Sequence, residues 1–120
     1  MKTQTIGTLI DTSKLGCRDI HIETFSMQVR SNGIKFMSWG ADRVHMDKKD
    51  KFGCCKWLRF FVRGAKHKGW VYVELNGSDY YNIYYTTQKH KIKMVDIDVD
   101  GFSLCDSIDE TIEKVAAYNF

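Results

Sequence analysis

The stretch KGWVYVELNGSDYYNIYY, residues 68–85, sets two runs of large side chains around one Asn-Gly. Its reading decides the fold, because side chains on a strand alternate between two faces. Val71, Val73 and Leu75 point one way; Trp70, Tyr72 and Glu74 point the other. On the return strand Tyr81, Ile83 and Tyr85 alternate with Tyr80, Asn82 and Tyr84. A hairpin settles where apolar meets apolar. Pairing Leu75 with Tyr81, Val73 with Ile83 and Val71 with Tyr85 meets that condition. It needs an odd loop of three or five residues, in which Gly or Asp supplies a positive φ. A two-residue turn would set Val73 against Asn82 and is disfavoured.

Working outward, CKWLRFFVRG (55–64) reads as a preceding strand and IKMVDIDV (92–99) as a following one. Short polar turns separate these runs, so an antiparallel sheet of about four strands is the economical topology. Leu58, Phe60 and Val62 join the aliphatic face, and Val95 and Ile97 are assigned to it on the fourth strand, leaving Met94 and Asp96 outside. Residues 19–30 read as a helix with Ile22, Phe25, Ser26 and Val29 on one side, ended by Ser31, Asn32 and Gly33. Residues 103–118 read as a second helix. Leu104, Ile108, Ile112 and Val115 form its apolar stripe, and Asp106, Asp109, Glu110 and Glu113 its solvent side. Residues 3–10 suggest a short strand and 34–41 a helical turn. The fold class is therefore α+β: a single domain over 1–120, with 1–18 as an N-terminal extension.

Hydrophobic residues make up 43% and charged residues 28% of 120, so the chain can bury a core and is not expected to be disordered. No apolar run approaches the roughly 18 residues that span a membrane, and the N-terminus lacks a secretory h-region. The expectation is a cytoplasmic protein without membrane contact. The net charge of +3 permits an acidic partner without demanding one. Much of the positive charge lies between Lys48 and Lys68, whereas 96–113 is acidic.

Residues KFMSWGA (35–41), LRFFVRG and the Asn-Gly hairpin resemble a family of small proteins encoded by phages and bacterial mobile elements. The likeness rests on Lys35, Phe36, Gly40, Ala41, Leu58, Phe60, Leu75, Asn76, Gly77, Asp79, Tyr81, Ile83 and Tyr85, and covers about 29–115. Trp39 stands where that family has Met, one residue is missing before the glycine, and SNGI replaces the family's Gly-Gly-Asn. The resemblance implies an α+β fold and a mobile-element setting. It brings no catalytic residues.

The second sheet face is the candidate site: Trp57, Arg59, Phe61, Arg63, Trp70, Tyr72 and Tyr84. Trp, Tyr and Arg anchor protein interfaces, and a host protein, such as a defence or regulatory component, is the first expectation. The same residues suit single-stranded nucleic acid, stacking bases and neutralising phosphate. A third account covers the face with the N-terminal strand and first helix, or with a second copy in a homodimer.

No Ser-x-x-Lys, His-Glu pair or Gly-rich phosphate loop occurs, so no catalysis and no cofactor are expected. Cys54 or Cys55 with His45 or His67 lacks the spacing of a zinc site. His67 and His90 read as surface residues in turns. Residues 96–101, DIDVDG, match the opening of a calcium loop, making Asp96, Asp98 and Asp100 weak metal candidates. The twelfth position is Ser107 where a bidentate Glu belongs.

Overall fold

A computed structural model describes residues 5–16, 18–30, 39, 41–46, 51, 53–64 and 66–112. The fold is α+β. Strands β1 (Ile20–His21), β2 (Asp42–Met46), β3 (Cys54–Cys55), β4 (Trp57–Arg63), β5 (Lys68–Leu75), β6 (Tyr81–Thr86) and β7 (Ile92–Val99) accompany helices α1 (Ile22–Val29) and α2 (Leu104–Ile112). β1 and β3 form a small pair, and the other five strands an antiparallel sheet in the order β2-β4-β5-β6-β7. Among the described residues no helix is long and apolar enough to cross a membrane.

The hairpin has the register that apolar matching demands: Leu75 opposite Tyr81, Val73 opposite Ile83, Val71 opposite Tyr85. The loop is the five-residue one, 76–80. The Asn76 side chain accepts from the backbone of Ser78 and Tyr80, and Asp79 takes the positive φ of 65°. An Asx turn of this kind needs a short carbonyl side chain at its first position.

The first face of the sheet is the aliphatic one. Leu58, Phe60, Val62, Val71, Val73 and Ile83 pack under Phe25 and Val29 of α1 and Leu104, Ile108 and Ile112 of α2. Trp39 lies parallel to Phe60 and donates from Nε1 to Asp109 at 2.9 Å. Asp109 is thus buried, contrary to its expected place on the solvent side of the helix, because the indole offers it a donor inside. Asp106 and Glu110 are exposed as expected.

Three other expectations change. The first helix begins at Ile22, not at residue 19, because Ile20 is drawn into pairing with Cys55 and fully buried. β2 is a fifth strand of the sheet that the polar run DRVHM did not announce. On β7 the side assignment is reversed: Val95 packs in the second-face cluster and Ile97 is exposed. The expected helix stop at 31–33, most of the turn at 34–41 and the end of the last helix lie outside the described residues.

Candidate functional site: the second face of the sheet

Residues 5–16 form a strap across the second face. Its first part lies along the start of β7, where Gly7 N donates to Ile92 O at 2.8 Å and Ile10 N to His90 O at 3.0 Å. Leu9 bridges Lys91, which is the only strand-like pairing of this segment among the described residues. After one 3-10 turn at Thr12–Lys14, Leu15 enters the core and Gly16 N donates to Glu74 Oε1 at 3.1 Å. Gly16 is required there. Its φ is +90°, and a Cβ would stand 2.7 Å from Lys56.

Under the strap lies a second core of Leu15, Phe61, Trp70, Tyr72, Tyr84 and Ile92. Tyr72 and Tyr84 are each 1% exposed and Trp70 8%. Four of the seven expected site residues, Phe61, Trp70, Tyr72 and Tyr84, are therefore interior, and their rings meet the chain itself. A Tyr or Trp interior needs polar partners for its heteroatoms. Tyr84 OH donates to Glu74 Oε2 at 2.7 Å, and Asn82 and Gly16 complete the shell of that buried carboxylate. These four rings are therefore covered and do not form a free stacking platform.

What reaches the margin of the face is a cluster of cations on aromatic rings. Arg59 on β4 lies 4.5 Å from the Trp70 ring centroid and 5.5 Å from that of Tyr72. Arg43 and Arg63 both stand over Phe61, at 4.3 and 5.1 Å. Trp57 is half-buried and tilted against Tyr72; Arg63 is exposed. Two residues that were not read as part of the site join it. His90 stacks on Trp70 and His45 meets it edge-on. The register Arg59 opposite His45 and Tyr72 opposite Arg59 brings β2, β4 and β5 together here. A positive φ of 68° turns His90 back over the sheet.

A directed chain of hydrogen bonds runs through the cluster. Arg59 Nη1 donates to Tyr72 OH at 2.8 Å, and Tyr72 OH lies 2.6 Å from His90 Nδ1. The Tyr72 oxygen is thus shared between Arg59 and His90 Nδ1. Burial, then the Arg59 charge, hold the His90 pKa below 6.5. Burial raises the Tyr72 pKa above 10.0, with the Arg59 contact opposing. Arg59 Nε is buried and has no acceptor. Among the described residues Arg59 forms no ion pair.

The other candidates differ. Asp96, Asp98 and Asp100 do not converge. β7 carries three steps against two on β6 between Ile83–Asp96 and Tyr81–Val99, and Asp98 has a φ of 56°. This bulge sends Asp96 to Tyr85 on the first face and Asp98 to Asn76 on the second, while Asp100 accepts from Ser103 N. No group of three metal-ligating side chains exists among the described residues. His67 is buried, not superficial, against Tyr85. An open cleft of about 560 Å³ lies by Arg18, Asp19, Lys56 and Asp79. Its charges neutralise one another as Arg18–Asp79 and Lys56–Asp19 pairs, each at 2.8 Å.

No protein-family model, curated protein or solved structure matches the chain.

Proposed function

We propose that the chain is a small non-enzymatic binding protein that engages a partner protein through the basic margin of the second face. The observation that carries this reading is Arg59. It is a half-buried cation packed on Trp70 and Tyr72, and it has a desolvated donor without an acceptor. Arginine is enriched among interface hot spots, and a guanidinium stacked on aromatic rings is already fixed in orientation. Arg63 and the edge of Trp57 extend the surface beside it. The resemblance to mobile-element proteins makes a host protein the partner of choice. Burial of Trp70, Tyr72 and Tyr84 weighs against single-stranded nucleic acid, whose bases need exposed rings.

The test is affinity capture from nuclease-treated bacterial host extract, with wild type and Arg63→Glu side by side. A protein that binds wild type, is lost with Arg63→Glu, and re-forms the complex when purified supports the reading. Binding to oligothymidylate that weakens steeply with salt, with no protein partner, overturns it.

A further inference from the structure

We propose that one end of the sheet, where Arg43, Arg63, Lys66, Lys68, Lys89 and Lys91 are collected, docks an acidic surface patch of the partner protein. This rests on the binding reading above and names the partner's chemistry.

The sequence scatters these cations and the topology gathers them. β4 ends at Arg63 and β5 begins at Lys68, directly opposite. β6 ends at Thr86 and β7 begins at Ile92, again opposite, and the pairing of Trp70 with Thr86 sets the two hairpin ends side by side. Arg43 of β2 reaches over Phe61, the ring that Arg63 also covers. All these cations are exposed. In the sequence of 42–43, 61–70 and 86–93 the only acid is Asp42. Asp79, Asp98 and Asp100 lie at the other end of the strands, and α2 with its acidic residues lies on the first face. β5 alone spans about 23 Å between the ends, at ~3.3 Å per residue. That is more than twice the Debye length of about 10 Å at 0.1 M salt. The far carboxylates therefore do not offset the cations, and the net charge of +3 conceals a strongly basic end.

Two features of this end work against folding. Like charges directly opposite on neighbouring strands are destabilising, and Arg63 faces Lys68. Arg43 holds a left-handed φ of 50°, a strained conformation for any residue with a side chain. An acidic surface brought against the cations relieves the repulsion. Both turns that carry the lysines are tied down. Gly64 N donates to His67 O at 3.0 Å and Lys66 N to Ile112 O at 2.7 Å. Thr87 N donates to Lys91 O at 2.8 Å, and the Thr87 hydroxyl accepts from Lys91 N. Cations on fixed turns form a preorganised rim, which suits a folded partner of complementary charge. Nucleic acid is the poorer occupant. A single strand needs exposed rings, and Phe61 and Trp70 are buried. A duplex takes a protruding helix or ribbon into its groove, and both turns here are held back against the body, by Ile112 and by His90 on Trp70.

The experiment is backbone-amide NMR of the full chain with a hexaglutamate peptide, with hexaglutamine, oligothymidylate and a short DNA duplex as comparators. Hexaglutamate is expected to shift Arg63, Lys66, Lys68, Lys89 and Lys91 first, and to bind several-fold more weakly as salt rises from about 50 to 200 mM. Lys68→Gln removes the charge opposite Arg63, so binding weakens about threefold while the urea midpoint holds or rises. Lys66→Glu combined with Lys89→Glu weakens binding about tenfold or more. Lys56→Gln, at the far end, leaves it unchanged. Shifts of equal size at Lys14 and Lys56, an equal loss with Lys56→Gln, or a response to the nucleic acids but not to hexaglutamate overturns the proposal. Urea unfolding of each variant confirms that the fold is retained. If the captured partner protein still binds the Lys66→Glu, Lys89→Glu double variant but not Arg63→Glu, the binding reading stands and the acidic-patch proposal falls.

Discussion

On the first face of the sheet, two helices pack a large apolar core of aliphatic and aromatic side chains, with Trp39–Asp109 and Tyr81–Gln28 as polar ties. On the second, a strap with little regular structure is held on aromatic rings by a buried carboxylate and a chain of hydrogen bonds. The first cover derives from apolar area and resists the loss of any single bond. The second depends on a few directed contacts, each of which leaves a desolvated partner when it is broken. The same β5 strand serves both, Val71 and Val73 on one side and Tyr72 and Glu74 on the other.

Substitutions can test this contrast. Leu104→Ala on the helix side should cost about 2–5 kcal/mol in urea unfolding, with both faces lost in one transition. Glu74→Leu fills a similar volume but strands the Gly16, Tyr84 and Asn82 donors. It should cost about 1–3 kcal/mol, and hydrogen exchange should speed up first at Gly7, Ile10 and Gly16. If the helices exchange equally early, the two covers are one cooperative unit and the contrast fails. Gly16→Ala meets the left-handed backbone and Lys56, and should cost about 1–2 kcal/mol. Limited proteolysis within 5–16 is the sensitive readout.

Acid gives a milder comparison. His67 beside the first-face core and His90 on the second both have pKa values held below 6.5, chiefly by burial. Above that value neither carries a proton in either state and both contributions are complete. As pH falls below 6.5 the unfolded chain binds protons first, so stability declines until the folded values are passed. His67→Gln should flatten this decline more than His90→Gln, because His67 is the more deeply buried. The reverse order would place the acid-labile point under the strap.

Much of this fold was legible in the sequence. Strand parity and apolar matching yielded the register from Leu75–Tyr81 to Val71–Tyr85, because period-two patterning is strong wherever one face is aliphatic. β2 was illegible: Asp42, Arg43 and His45 are not strand-forming by propensity, and pairing with β4 overrides them. β7 misled because two register shifts against β6, one between Ile92 and Met94 and one between Asp96 and Val99, reverse the sides between them, which alternation cannot reveal. For the candidate site, the seven residues do share one face. Their cover was not readable, since Thr5 to Gly16 is mostly polar and is anchored by backbone groups that carry no side-chain signature. His90 was missed for a related reason, a turn conformation that swings it over Trp70.

The bulge in β7 has one more consequence. β7 is the last strand of its sheet, and among the described residues only its start is bridged by the strap. Beyond Ile92, Met94 and Ile97 are exposed on a strand that another molecule could extend. The left-handed Asp98 twists this margin out of line and plants a charge on it, with Lys93 and Asp96 nearby. Such a margin resists strand-by-strand growth into fibres. Deleting Asp98 removes the left-handed residue and its contact with Asn76, and is expected to straighten this margin and raise light scattering in concentrated protein.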